Sequence, residues 1–289
     1  MKTVIMKSVC FIVTVFVLFI IAGPAKALTA TEAQKLLASD GGANDLELFG
    51  CSVAVDGDTA VIGAFEDCWH DGCFGSAYVF TRDSSGVWSE QQKLTASDAA
   101  YGDNFDYSVA VDGDTAVIGA PELNAEFIGS AYVFTRNSDG EWTEQQKLMA
   151  SESTIYLQFG TSVAFDGNTI VIGTDNITYN GNAILPGVYV FTRNSDGEWT
   201  ERAKLTPSEP SGSFGRFSVA VDGDTVISNG NYEAYVFTRN SDGEWTEQAK
   251  LTTSASVDSV AADGDTAVIG ARWDENDNGD RSGSAYVFT

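Results

Sequence analysis

A phrase of 13 residues is written five times into this chain. SVAVDGDTAVIGA at 52–64 returns unchanged at 108–120, then as SVAFDGNTIVIGT at 162–174, SVAVDGDTVISNG at 218–230 and SVAADGDTAVIGA at 259–271. The copies start 56, 54, 56 and 41 residues apart. A second phrase follows each: GSAYVFTR at 75–82 and 129–136, GVYVFTR at 187–193, EAYVFTR at 233–239 and GSAYVFT at 283–289. A third follows four of them: VWSEQQKL at 87–94, EWTEQQKL at 141–148, EWTERAKL at 198–205 and EWTEQAKL at 244–251. Self-similarity at such a period restricts the chain to repeat architectures, in which each unit buries its apolar face only against its neighbours.

Every phrase reads as a strand. SVAV and TAVIGA are rich in Val and Ile and are joined by Asp-Gly, a tight-hairpin signal. AYVFTR and the Trp phrase are joined by N-S-D-G, whose residues suit a turn. Helical apolar spacing is absent after the N-terminal region, apart from a possible turn near 29–36. Four antiparallel strands per unit of this length make a propeller blade, so the expected class is all-β. The repeats start near 49, 105, 159, 214 and 256. The last stops at Thr289 after its third strand, while Gln34–Asp40 (QKLLASD) matches QKLTASD at 92–98. Residues 34–40 are therefore expected to complete the last blade, giving five blades closed by the N-terminal strand and leaving no open sheet edge. The competing reading is a piece of a larger ring.

The phrases resemble FG-GAP repeats, the blades of the integrin α-subunit propeller and its bacterial and algal relatives. The resemblance is carried by Phe49-Gly50, Phe159-Gly160 and Phe214-Gly215 before the SVA strands, and by Gly63-Ala64, Gly119-Ala120-Pro121 and Gly270-Ala271 after the second strands. The second copy departs with Phe105-Asp106, the fourth with Ser228-Asn229, and the fifth has no Phe-Gly. Integrin-type heads have seven blades; this chain has repeats for five.

The resemblance implies calcium cages between first and second strands. Here those places hold only D-G-D or D-G-N turns, too short to wrap an ion that takes six to eight oxygens. A different loop has calcium-like spacing. In Arg272–Gly283 (RWDENDNGDRSG), Asp274, Asn276 and Asn278 alternate ahead of Gly279, and Asp280 and Ser282 can complete a shell. These five residues are the candidate calcium ligands. The bidentate acid of an EF-hand is missing, and the bland alternative is a solvated acidic loop.

In a four-stranded meander the 1–2 and 3–4 turns share one end and the 2–3 and 4–1 connections the other. The former barely change between copies; the 2–3 loops differ in length and composition. Variable loops on a rigid scaffold are where binding surfaces are built. Their aromatics, Phe65, Trp69, Phe127, Tyr179, Tyr232 and Trp273, are the candidate ligand anchors. Drift in unconstrained loops is the alternative at each position. The in-register Trp88, Trp142, Trp199 and Trp245 are expected to pack between blades instead.

The N-terminus reads as a secretory signal peptide over residues 1–27: Lys2 and Lys7, an apolar run from 8 to 22, then Ala25-Lys26-Ala27. The run is short for a membrane anchor, so the expected product is residues 28–289, secreted or at the cell surface and not inserted in the membrane. It would carry 13 Lys and Arg against 41 Asp and Glu, a charge of −28, which argues against nucleic acid or anionic lipid as a partner. Cys68 and Cys73 bracket one short loop and are expected to pair, leaving Cys51 over; a metal site in that loop, around His70, is the alternative. Asn176 opens the only glycosylation sequon. With a single histidine, catalysis has little to build on. The expected function is recognition of an extracellular protein or glycan, without catalysis. A matrix-assembly role and a carbohydrate hydrolase using a channel acid pair are the alternatives. Calcium is the only cofactor expected.

Overall fold

The computed structural model describes residues 32–41, 48–65, 74–122, 128–152, 157–175, 186–209, 211–275 and 281–289. They form an all-β, five-bladed propeller. Blade 1 is β1 (Leu48–Asp56), β2 (Thr59–Phe65), β3 (Ser76–Arg82) and β4 (Trp88–Leu94). Blade 2 is β5 (Ser108–Asp112), β6 (Thr115–Ala120), β7 (Ser130–Arg136) and β8 (Trp142–Leu148). Blade 3 is β9 (Phe159–Asp166), β10 (Thr169–Thr174), β11 (Val188–Arg193) and β12 (Trp199–Leu205). Blade 4 is β13 (Val219–Asp222), β14 (Thr225–Asn229), β15 (Glu233–Arg239) and β16 (Trp245–Thr252). Blade 5 is β17 (Ser259–Asp263), β18 (Thr266–Ala271) and β19 (Ser284–Phe288). Each sheet is an antiparallel meander in chain order. The first strands line the axis, β1 on β5, β5 on β9, β9 on β13 and β13 on β17.

The repeated residues explain the repeated geometry. Asp56 pairs with Thr59, so Gly57-Asp58 is a two-residue loop. Gly57 stands at φ +55, which a first central position in the left-handed region requires and Gly supplies without strain. Each third strand meets its fourth through a bulge: Val79 faces Gln92 but Phe80 faces Glu90, leaving Gln91 over. The core runs from blade to blade: Val61 and Val79 of blade 1 share one apolar cluster with Val109, Ile118, Tyr132 and Phe134 of blade 2. Phe105 stands edge-on to Tyr132 and Phe134, at 5.3 and 5.9 Å. Phe159 does the same to Tyr189 and Phe191, and Phe214 to Tyr235 and Phe237. Trp142 and Trp199 are buried as expected, with Arg136 and Arg193 stacked over them.

Four contacts staple blade 1 to blade 2 and blade 2 to blade 3; at the boundary with blade 4 the Gln is replaced by Ala203 and the other three remain. The Ser of the first four SVA phrases donates across the boundary, as Ser108 Oγ does to Gly160 O at 2.9 Å and Ser162 Oγ to Gly215 O at 2.7 Å. Gln92 exchanges two hydrogen bonds with the backbone of Trp142, and Gln146 does so with Trp199. Ser97 gives its N–H and hydroxyl to the Glu144 carboxylate, and Ser151 gives both to Glu201. The Gly that ends the second strand lies under a backbone carbonyl of the following blade in blades 1 to 3: a Cβ on Gly63 would stand 2.6 Å from Asp106 O, one on Gly119 2.1 Å from Gly160 O, and one on Gly173 2.0 Å from Gly215 O.

That last contact joins two departures that look unrelated in sequence. Blade 4 has Ser228 where the Gly is expected, and blade 5, which follows it, lacks Phe-Gly. Val257-Asp258 takes the Phe-Gly place there. Val257 is buried and donates its N–H to Asn231 O, as Phe159 does to Ile128 O; Asp258 N donates to Gly270 O, as Asp106 N does to Gly119 O.

The expectation for the N-terminal strand is met in part. Residues 34–40 hold blade 1 as a preceding fourth strand would. Gln34 exchanges hydrogen bonds with the Trp88 backbone, Ser39 caps Glu90, and Leu36 and Ala38 pack against Phe49, Tyr78 and Phe80. No ladder joins them to β19 among the described residues; the fifth sheet has three strands.

Candidate functional site

The meanders place the 2–3 loops and the 4–1 connections together at one end, as read from the sequence. Two of the six aromatic candidates are described with their side chains. Tyr232 and Trp273 are each 57% exposed, and the Arg272 guanidinium stacks on the Trp273 ring at 5.5 Å. Both belong to the loops flanking one connection, between blades 4 and 5. Thr253 N and Oγ1 donate to Tyr232 O, and Ser254 Oγ donates to Asp274 Oδ1, next to Trp273. Phe65 ends β2. Trp69, Phe127 and Tyr179 lie outside the described residues, as do Cys68, Cys73, His70 and Asn176. Cys51 is buried, its thiol 3.4 Å from Asp106 Oδ2.

Of the calcium candidates, Asn276, Asn278 and Asp280 also lie outside the described residues. Ser282 is exposed, and Glu275 and Arg281 face each other in an isolated bridge. Asp274 is only 6% exposed. Its carboxylate accepts hydrogen bonds from the Tyr286 hydroxyl and from Ser254 Oγ, the latter at 2.9 Å. The Tyr286 hydrogen bond, then those of Ser284 and Ser254, hold its carboxyl below the ordinary carboxylate value.

The other blades explain why an acid is needed there. In blade 2, Asp98 takes the Tyr132 hydroxyl at 2.8 Å and the Lys147 ammonium at 2.7 Å. In blade 1, Asp40 takes Tyr78 and Lys93, each at 2.7 Å. Lys204 pairs with Glu152, and Lys250 with Glu209, in blades 3 and 4. Each acid comes from the LTASD-like exit of the preceding fourth strand. The exit before blade 5 reads LTTSA, so Ala255 stands where the acid should be, and Asp274 supplies a carboxylate from the 2–3 loop. A column-by-column comparison of the five exits would have shown the missing acid.

At the opposite end the acidic turns have structural partners. The second Asp of the D-G-D turns pairs with the Arg that ends the third strand: Asp58–Arg82, Asp114–Arg136 and Asp224–Arg239, each at 2.6 Å. The first accepts the Gly N–H of the next blade's turn, from Asp56–Gly113 to Asp222–Gly264. On the axis, a cavity of about 20 Å³ is lined by residues such as Ser52, Ser108, Ser162 and Ser218, with Val and aromatic neighbours and no carboxylate.

A family model described as FG-GAP repeat matches residues 30–80, 88–134, 142–191 and 245–288. No curated protein sequence matches the chain. Among solved structures, hydrazine synthase of Kuenenia stuttgartiensis is similar at 12% identity, with a TM-score of 0.52, over 82% of this chain and 69% of that one. A protein from Lactobacillus plantarum is similar at 14% identity and a TM-score of 0.49, over 82% and 69% of the two chains. The periplasmic gluconolactonase of Pseudomonas aeruginosa is similar at 13% identity and a TM-score of 0.41, over 82% and 87%. At these identities the likeness is one of fold.

Proposed function

The chain belongs to the FG-GAP repeat family, and from that premise we propose that it is a non-catalytic recognition module, secreted or at the cell surface, which binds an extracellular protein or glycan through its 2–3 loop face. One observation carries the reading. The two ends of the propeller are specialised differently: at the D-G-D end conserved-in-register acids are tied to Arg and to backbone N–H groups, while the other end varies between copies and presents Tyr232 and Trp273 to solvent. Exposed, conformationally restricted aromatics are common anchors for partners.

The test is a binding screen of the secreted form against glycan and extracellular-protein panels, repeated with Tyr232→Ala/Trp273→Ala. A partner held by the parent and released at least tenfold by the double variant supports the reading. A partner bound equally by both proteins places recognition elsewhere. Turnover of a polysaccharide would replace the reading with the hydrolase. The assembly reading is favoured by one feature, the edge of β19, which has no ladder partner among the described residues, and predicts concentration-dependent oligomers in sedimentation.

A further inference from the structure

A groove of about 370 Å³ opens between blades 1 and 2 at the D-G-D end. The side chains that line it are all polar: Asp56, Asp58, Thr59, Thr81, Arg82 and Arg136. Arg82 donates from Nε and from Nη2 to one and the same oxygen, Asp58 Oδ1, at 2.7 and 2.6 Å. Asp58 Oδ2 accepts no hydrogen bond among the described residues, and the side chain is mostly exposed. Asp56 gives Oδ2 to the Gly113 N–H at 2.8 Å and keeps Oδ1. From the other wall, Arg136 Nη1 donates to Thr59 Oγ1 at 3.1 Å. The Thr81 hydroxyl enters no hydrogen bond among the described residues, so it is left to donate or accept. The ion pairs hold these groups in place before any ligand arrives, which lowers the ordering cost of binding.

The charges of the lining cancel, two carboxylates against two guanidinium groups. An anion would meet the spare oxygens of Asp56 and Asp58; a cation would meet the two guanidinium groups. An apolar ligand would strip water from these polar groups without replacing it. An uncharged ligand that donates and accepts at closely spaced oxygens satisfies all of them. We propose that the groove binds a neutral sugar unit of a glycan. Asp58 Oδ2 and Asp56 Oδ1 accept its hydroxyl protons, and Arg82 Nη1 and the Thr81 hydroxyl donate to its oxygens. Among the first three boundaries, this one alone carries the whole set. Between blades 2 and 3, Asp112, Asp114, Thr115 and Thr135 recur, but Arg193 donates its Nε to Gly197 O in its own blade. Asn168 takes the second acid away from the boundary between blades 3 and 4. The groove lies at the other end of the ring from Tyr232 and Trp273, so its ligand is independent of the loop face.

The test is titration calorimetry of the full chain with neutral gluco-, manno-, galacto- and xylo-oligosaccharides, beside oligogalacturonate and spermine. Asp58→Asn and Thr81→Val each alter one group of the groove. Asp224→Asn breaks the same ion pair in blade 4, away from the groove, and Tyr232→Ala/Trp273→Ala alters the loop face. Thermal unfolding checks that each variant folds; Thr81→Val breaks no ion pair and keeps the test open if Asp58→Asn does not fold. The proposal expects a neutral oligosaccharide to bind, about tenfold more weakly in Asp58→Asn and in Thr81→Val. Asp224→Asn and Tyr232→Ala/Trp273→Ala should bind it as the parent does. No binding of any neutral oligosaccharide overturns the proposal. So does binding that Asp58→Asn and Thr81→Val leave unchanged; if Tyr232→Ala/Trp273→Ala abolishes that binding, the sugar sits on the loop face. Oligogalacturonate or spermine bound in preference, and released by Asp58→Asn, overturns it too and makes the groove an ion site.

Discussion

The Asp112 carboxylate accepts the backbone N–H of Gly167 at 2.6 Å, across the boundary between blades 2 and 3. The contact recurs at three other boundaries, Asp56–Gly113, Asp166–Gly223 and Asp222–Gly264. A formal charge of −25 would ordinarily oppose compaction. Here much of the repeated acid is placed where it accepts a hydrogen bond that holds one blade to the next.

Asp112→Ala should therefore destabilise by about 1 kcal/mol, the net value of such a hydrogen bond. In a domain of this size that lowers the melting temperature by about 2–4 °C. Asp112→Asn keeps an acceptor oxygen and should lose less than half as much. Equal losses in the two variants, measured by thermal unfolding, would mean that charge and not the hydrogen bond is what matters.

The glycines near the ends of the second strands predict a graded series. Gly173→Ala puts a methyl 2.0 Å from Gly215 O, a backbone atom that can yield only by moving blade 4, and should cost about 3 kcal/mol. Gly270→Ala meets only Ser259, with Oγ at 2.3 Å, and a hydroxyl can rotate away. It should cost less than 1.5 kcal/mol. Chemical denaturation of the two variants decides the matter; equal costs would mean that the interblade carbonyl is not the constraint.

The fold was legible because its signals are local and repeated: Asp-Gly at each hairpin, alternation in each strand, and one phrase order throughout. The contacts between blades were not, because they join residues about 50 positions apart. Phe-Gly and Gly-Ala read as two motifs, yet they are two halves of one contact, which is why Ser228 and the missing Phe-Gly of blade 5 go together. The candidate site was half legible. The variable face followed from comparing loops; the place of Asp274 in the Tyr286 hydrogen-bond set did not. Its partners, Ser254 and Tyr286, come from the preceding connection and from β19, and no local pattern connects them.

Acid should weaken the Tyr–Lys–acid sets in a definite direction. The hydrogen bond from Lys147, then that from Tyr132, holds Asp98 below its ordinary value of 3.8. A carboxylate depressed in the folded state contributes stability that is fully present above the unfolded value and is lost as the pH falls through the folded one. Lys147→Met should cost about 0.5 kcal/mol at pH 7, since Asp98 is half exposed and solvent screens the pair. The difference from the parent should shrink below pH 3.8. A gap that stays constant down to pH 2 would assign the loss to packing on Tyr132, over which Lys147 lies.

Tyr232→Ala and Trp273→Ala should leave stability within about 0.5 kcal/mol of the parent, because both rings are mostly exposed. Trp142→Ala, at a buried ring, should cost about 3–5 kcal/mol. The contrast separates anchors from core among residues of the same chemistry. A large loss at Tyr232 or Trp273 would show that the ring supports the connection between blades 4 and 5.

The last prediction concerns the residue that breaks the Phe-Gly pattern in blade 2. Asp106 stands at φ +136, where Gly50, Gly160 and Gly215 occupy the same place at +96, +101 and +76. Only Gly adopts this region without strain, and another residue costs of order 1–3 kcal/mol there. Asp106 is also fully buried, so its carboxylate is withheld from water. Among its partners is the Cys51 thiol, a weak donor 3.4 Å from Oδ2. The staple from Ser52 Oγ goes to the Asp106 backbone carbonyl at 2.6 Å and survives any substitution of the side chain. Asp106→Gly should therefore stabilise by about 1 kcal/mol and raise the melting temperature by about 2–4 °C. Asp106→Ala removes the buried carboxyl group but keeps the Cβ in a left-handed backbone, and should fall below Asp106→Gly. If Asp106→Gly instead melts lower than the parent, the carboxylate stabilises this boundary by more than the backbone strain costs.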